Sequence, residues 1–205
     1  GAAGFVGRHL CRHLFNSGFQ VRSLLHSAEQ EELFAPELEL EHFTGDLLNA
    51  ASLGDACENT DVVVHLGGVA HVNNLAEEKL QEINVEGTRN ILRVAMKKNI
   101  QRIVFMSSSL ALAAETKRGI VTAYGRSKHA AEGLVQEAHQ QGDIEAVVLR
   151  PVNIYGAGMK GNITNMISLI GKGHLPPLPM VETQISLVGV DDLVQAAILS
   201  VNKSE

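Results

Sequence analysis

Only two cysteines occur in the 205 residues, Cys11 and Cys57, and their separation matches no zinc or redox spacing. Both are expected to be buried free thiols in a reducing compartment. Basic residues are also in the minority. Lys and Arg number 17 against 23 Asp and Glu, giving a formal net charge of −6. With a pI near 5.8, the chain lacks the concentrated basic face that a nucleic-acid binder needs. Anionic small molecules are not excluded, because local dipoles and single basic residues bind anions on acidic proteins. No apolar run approaches the roughly 18–20 residues of a membrane span. A signal-peptide pattern, an internal repeat and a low-complexity tract are all missing, and the expected location is cytoplasmic. Residue 1 is not Met, so the natural N-terminus is expected to lie outside this sequence.

What remains is ordinary for a globular protein, with 45% hydrophobic and 20% charged residues. Short β-rich apolar runs at 19–25, 39–44, 61–66, 102–108 and 145–150 alternate with helical patterns at 5–17, 28–34, 49–57, 80–98 and 123–141. Asn49 reads as an N-cap and Gly142 as a helix stop. Such alternation predicts an α/β fold, a doubly wound parallel sheet with helices on both faces. The runs VVVHL and IVFM do not alternate, as expected of strands covered on both sides. After Arg150 the sequence turns Gly- and Pro-rich, predicting a loop-rich segment over the end of the sheet. ISLVGVDDLVQAAILSV then reads as a strand entering a helix.

Three stretches carry chemistry. GAAGFVG places Gly1, Gly4 and Gly7 ahead of an amphipathic helix. Glycines there permit a tight turn, close backbone approach to a pyrophosphate, and tight packing of the following helix. AYGRSKHAAE sets Tyr124 and Lys128 at i and i+4 on one helix face. An ammonium beside a phenol favours the phenolate, which a general base for an alcohol hydroxyl requires. Finally, SSS (107–109) ends an apolar strand, where ligands of open α/β sheets bind.

These stretches occur in order with TGDLLNAASL (44–53), VVVHLGG (62–68), NVEGTRNIL (84–92) and LRPVNIYG (149–156). In that order the chain resembles the extended short-chain dehydrogenase/reductases, and within them the NAD-dependent epimerase/dehydratase group acting on nucleotide sugars. The resemblance implies a Rossmann-type core over residues 1–153. Residues 154–205 would then form a small, incomplete substrate-binding part plus a late strand and helix of the core. It further implies that Gly1, Gly4 and Gly7 hold a pyrophosphate, with Phe5 and Val6 supplying amides. Asp46 and Leu47 would meet the adenine, and Leu66, Gly67 and Gly68 would lie beneath the riboses. Asn84 would brace the active-site helix. Ser109, Tyr124 and Lys128 match the catalytic triad, and Lys128 with Tyr124 would also hold the nicotinamide ribose. Ser107, Pro151 and Val152 join the cofactor contacts, while Asn153 and Asn162 would reach the substrate. No metal is implied. The implied cofactor is NAD or NADP, the substrate a nucleotide sugar, and the partner a second copy of the chain, paired through the helices containing NVEGTRN and YGRSK.

The same residues serve an epimerase and a 4-ketoreductase. Alternatives are a reductase of another alcohol or ketone, or a non-catalytic NAD(P)-sensing protein. Several positions depart from the family pattern. Leu25 and His26 stand where a ribose-binding carboxylate is usual, so the choice between NAD and NADP stays open. Gly67 and Gly68 replace the more common alanines. Gln184 and Ile185 stand where an arginine usually grips the sugar nucleotide's phosphate.

The family spacing also predicts further residues in the natural chain. They comprise a strand ahead of Gly1, longer connections between His71 and Asn84 and between Ser109 and Tyr124, and a lobe after Glu205. An intact natural protein weighing 22.0 kDa, the mass of these residues, would contradict that expectation.

Overall fold

The computed structural model describes residues 1–70, 76–159, 162–174 and 185–202. Helix α1 (Phe5–Asn16) leads into strand β1 (Arg22–Leu25), a 3₁₀ turn (Ala28–Leu33) and β2 (Glu41–Thr44). A second 3₁₀ turn (Ala50–Leu53) precedes β3 (Val62–His65). Next come α2 (Glu77–Gln81), a π-turn (Glu82–Glu86) and α3 (Gly87–Lys97). Then follow β4 (Arg102–Met106), α4 (Ser109–Thr116), α5 (Ala123–Gln140) and β5 (Glu145–Leu149). The chain continues through β6 (Asn153–Tyr155), α6 (Asn162–Gly171), β7 (Leu187–Gly189) and α7 (Val190–Asn202).

Among the described residues every strand pair is parallel, as the alternation predicts, and the strands form the ladders β1–β2, β3–β4–β5 and β6–β7. Strand β4 is buried at all five residues, which accounts for its unbroken apolar run. A cavity of about 710 Å³ lies between β1 and β3, lined by Arg22 and Leu24 on one side and Val62–Leu66 on the other. Leu10, Cys11 and Leu14 of α1 also face it.

The main core packs α3, α5 and the second 3₁₀ turn against one face of β3–β5, through Leu53, Ile91, Ala95, Ile103, Phe105, Ala131 and Val135. On the opposite face α1 and α7 meet through Leu10, Leu14, Val194 and Ala197. Ala131 and the partly buried Leu134 both pack into the chain's own core. Cys11 and Cys57 are buried and free, as expected.

The departures from the sequence reading are local. Residues 28–34 and 49–57 tighten into short 3₁₀ turns, the second opened by Asn49, whose side chain accepts from the Ala51 N–H. The helix expected over 80–98 starts earlier and carries the π-turn. Helix α4 was not expected. Its Leu- and Ala-rich sequence favours a helix, and Ser108 caps it by accepting from the Leu110 N–H. The Gly/Pro-rich region contains β6 and α6; its part over 175–184 lies outside the described residues. Residues 71–75 of the short connection before Asn84 lie outside them too.

Phe105 is fully buried at the centre of the main core. Truncating it, Phe105→Ala, is expected to cost about 3–5 kcal/mol through lost burial and a cavity. Urea titration should show a lower midpoint with an unchanged slope.

Candidate active site

The glycine turn is shaped by contacts no side chain could enter. A Cβ on Gly1 would lie 2.5 Å from the Leu66 carbonyl carbon, and one on Gly7 would lie 2.2 Å from the Gly1 oxygen. The turn is therefore pressed against the end of β3, with α1 pressed against the turn. Gly4 accepts the first helical bond, from Arg8, and donates to Gly1. It offers no side-chain cap, and no acidic residue sits in the first turn. The first amides of α1, including those of Phe5 and Val6, carry the positive end of the helix dipole without a carboxylate of their own. A pocket of about 320 Å³ beside the turn is lined by Gly1, Ala3, Gly4, Leu24, His26, Gln30 and Gly68. His26 thus faces the glycine turn, its backbone N–H donating to the Gln30 side chain. The crowded turn, its free amides and the adjoining pocket fit the pyrophosphate and ribose of a dinucleotide.

Asp46 and Leu47 follow β2 and are held by local structure. The Asp46 carboxylate accepts from the Leu48 N–H, forming an Asx turn. The Leu47 carbonyl accepts from the Asn90 side chain. Leu47 and Asn84 crowd the two glycines after Leu66. A Cβ on Gly67 would lie 2.8 Å from the Leu47 side chain, and one on Gly68 would lie 2.7 Å from Asn84 Oδ1. Gly68 has φ +148° besides. Alanine is strained at Gly68, whereas at Gly67 it would require the end of the Leu47 side chain to shift.

Asn84 sits in the π-turn, an irregularity frequent at functional sites. Its Oδ1 accepts from the Val69 N–H at 2.7 Å. Its Nδ2 donates to the Val69 carbonyl and, at 2.9 Å, to Ser127 Oγ on α5. Ser127 in turn donates to the Tyr124 carbonyl. Asn84 thus links the π-turn to α5 one residue from Lys128.

Thr122 caps α5 by accepting from the Gly125 N–H. Gly125 lets α4 approach so closely that a Cβ there would lie 2.5 Å from the Leu110 carbonyl oxygen. This packing brings the serines to Tyr124. A side-chain hydrogen bond from Ser108 acts on the phenol. Ser109 instead donates its backbone N–H to the Pro151 carbonyl at 2.9 Å, which draws the segment after β5 beside the serines. The buried hydroxyl oxygen of Ser107 has no protein partner. Ser108 was missed in the sequence. The helix-forming run LALAAE directly after SSS marks Ser108 as a cap, and that was the available signal.

Lys128 is 5% exposed, with Nζ 4.2 Å from the centre of the Phe105 ring. Burial lowers its pKa to about 8, against the opposing pull of Glu132. Burial likewise pushes the Tyr124 phenol above its ordinary value, partly offset by Ser108. The neighbouring lysine was expected to lower the phenol. The physical reason for the difference is that both groups are withdrawn from water and Lys128 is held over the ring. Beneath them His65 packs on Phe105 and meets Thr88 Oγ1 at 3.0 Å. Burial, then the Lys128 charge, holds His65 neutral.

Ser107–Ser109, Tyr124, Lys128, Pro151 and Val152 therefore converge beyond the carboxyl ends of β4 and β5. Asn153 stands apart on β6, exposed, with its side chain donating to the Ser186 carbonyl at 3.4 Å. The Asn162 side chain and Gln184 lie outside the described residues. Ile185 is 63% exposed. Among the described residues, no helix is long and apolar enough to cross a membrane.

The pattern of the NAD dependent epimerase/dehydratase family matches residues 1–205. UDP-glucose 4-epimerase of Vibrio cholerae is 28% identical over 221 residues, covering 98% of this chain and 65% of the relative. A decarboxylating sterol-4-alpha-carboxylate 3-dehydrogenase of Candida albicans is 31% identical over 178 residues, covering 77% of this chain and 50% of the relative. The chain thus spans half to two thirds of these relatives' length. Among solved structures, MoeE5 in complex with UDP-glucuronic acid and NAD superposes with a TM-score of 0.81 at 26% identity. That match covers 100% of this chain and 71% of MoeE5.

The depressed Lys128 pKa has a stability consequence with a definite sign. Between about 8 and 10.5, the folded and ordinary values, the unfolded chain binds more protons, so stability rises with pH across that window. Below it, the folded state carries the full cost of a buried charge. Lys128→Met is expected to stabilise the fold at pH 7 by on the order of 2 kcal/mol. In urea unfolding at pH 7 and pH 10, the variant's advantage should shrink at the higher pH.

Proposed function

This chain belongs to the NAD-dependent epimerase/dehydratase family, and from that premise we propose that it is a nicotinamide-dependent nucleotide-sugar epimerase or 4-ketoreductase. The observation that carries the reading is the Tyr124 phenol. It is hydrogen-bonded by Ser108, one helical turn from buried Lys128, at the sheet end that also bears the glycine turn. Gly1, Gly4 and Gly7 would admit the dinucleotide's pyrophosphate to the Phe5 and Val6 amides, where the dipole of α1 offsets its charge. Asp46, Leu47 and Leu66–Gly68 would border its adenosine half. Ser107, Asn84, Lys128, Pro151 and Val152 would border its nicotinamide half. When bound, the nicotinamide supplies the hydride acceptor and donor.

The chain's own part is proton handling. Tyr124 as phenolate takes the proton from a substrate hydroxyl, and as phenol returns one to a ketone oxygen. Ser108 and Ser109 offer hydroxyls to the same oxygen, and Lys128 steadies the ribose and the charge on Tyr124. Because burial raises the phenol's pKa, alcohol oxidation is expected to gain with rising pH and ketone reduction to lose. Asn153 and Asn162 are assigned to the substrate. The nucleotide-sugar assignment draws on the named substrate of the Vibrio relative and on the UDP-glucuronic acid held by MoeE5. The second reading is a reductase of a less polar alcohol or ketone. It is favoured by exposed Ile185, where a phosphate-gripping arginine is usual, and by the sterol dehydrogenase relative.

Two measurements test the proposal. Tyr124→Phe is expected to reduce turnover by at least about 100-fold, the usual worth of a general base; retained turnover removes the assigned role. Mass spectrometry of molecules released from the purified protein is expected to find NAD for an epimerase, whereas an empty site favours a reductase with exchangeable cofactor.

A further inference from the structure

One turn beyond Lys128 on α5 stands Glu132, 1% exposed. A buried carboxylate requires a cation, and Arg150, at the end of β5, supplies it. The guanidinium forms a fork, with Nε donating to Oε1 at 2.9 Å and Nη2 to Oε2 at 2.6 Å. The same Nη2 lies 2.7 Å from Oε2 of Glu115 on α4. One guanidinium thus ties together the three segments that bring Ser108, Tyr124 with Lys128, and Pro151 to the site. It also serves two carboxylates with a single positive charge. The surplus negative charge is balanced when Lys128 is an ammonium.

Other charged or titratable groups do not perform this balance. His65, beneath Lys128, is held neutral. Tyr124 is hydrogen-bonded to Ser108. His129 Nδ1 approaches Glu132 only to 3.9 Å and makes no hydrogen bond. Glu115, His129 and Glu132 have the spacing of a metal cluster, but the Arg150 guanidinium already bridges the two carboxylates. The cluster carries its own cation.

We propose that Glu132, clamped by Arg150, is a positioning residue that keeps the Lys128 ammonium charged and aligned with Tyr124. The proposal rests on the catalytic reading of Tyr124 and Lys128 given above. Glu132 touches no reacting atom; it acts through Lys128. Its negative charge offsets the desolvation that would otherwise strip the lysine of its proton near neutral pH.

The test is the titration of the Lys128 Nζ resonance by NMR in the ligand-free full-length protein, assigned through Lys128→Arg. The wild-type midpoint is expected near 8. Glu132→Gln removes the charge and keeps one of the two acceptors for Arg150, and should lower the midpoint by about one pH unit. A purely structural role predicts the opposite sign, because loosened packing hydrates Lys128 and raises its midpoint toward the ordinary value. An unmoved or raised midpoint overturns the proposal. Glu115→Gln, at a half-exposed side chain, gives the second reading should Glu132→Gln fail to fold. It is expected to lower the midpoint by a smaller amount, and no lowering counts against the proposal. Neither titration depends on turnover. A failed catalytic reading, detected by Tyr124→Phe, is therefore distinguishable from a failed link between Glu132 and Lys128.

Discussion

Helix α5 buries a polar row, Ser127, Lys128 and Glu132, alongside Ala131 and Val135, and the site follows from the need to satisfy it. Each buried polar group needs a partner or costs several kcal/mol, and each partner comes from a different element. Ser127 takes Asn84 from the π-turn, Lys128 lies on the Phe105 ring of β4, and Glu132 takes Arg150 from the end of β5. The partners required by burial also register the helix against the sheet. An apolar helix could slide or roll by a fraction of a turn at little cost. This one cannot without orphaning a charge.

Much of this was legible in the sequence because it rests on local pattern. Parallel strands announced themselves through unbroken apolar runs such as IVFM, and α1, α5 and the strand entering α7 through periodicity and caps. Tyr124 and Lys128 were placed correctly on one face because i, i+4 spacing on a helix leaves no freedom. Asn84 was singled out through the family resemblance, and its side chain donates to Ser127 on α5.

What escaped the sequence was decided by tertiary contact. Which of three consecutive serines reaches the phenol depends on where α4 begins and on how closely Gly125 admits it, neither of which the triplet reveals. The two glycines after Leu66 looked like an unexplained departure, yet their space is taken by Leu47 and Asn84 from elsewhere in the chain. Arg150 stood in the sequence only as the second letter of LRPVNIYG, and its link to Glu132 and Glu115 spans two other elements. The direction of the tyrosine shift was misjudged for a related reason. Spacing shows that two groups are neighbours but not how much water each has lost.

The separation of the β1–β2 ladder from β3–β4–β5 bears on how a long ligand would be held. The pocket beside the glycine turn draws His26 and Leu24 from the first ladder, while Ser108, Tyr124 and Lys128 belong to the second. Across this divide the described residues place side-chain joints, not ladder hydrogen bonds. Leu47 fits against Gly67 and Gly87, Asn90 holds the Leu47 carbonyl, and Arg22 reaches the Glu58 carbonyl. A molecule reaching from the glycine turn to Tyr124 would touch side chains borne by both ladders.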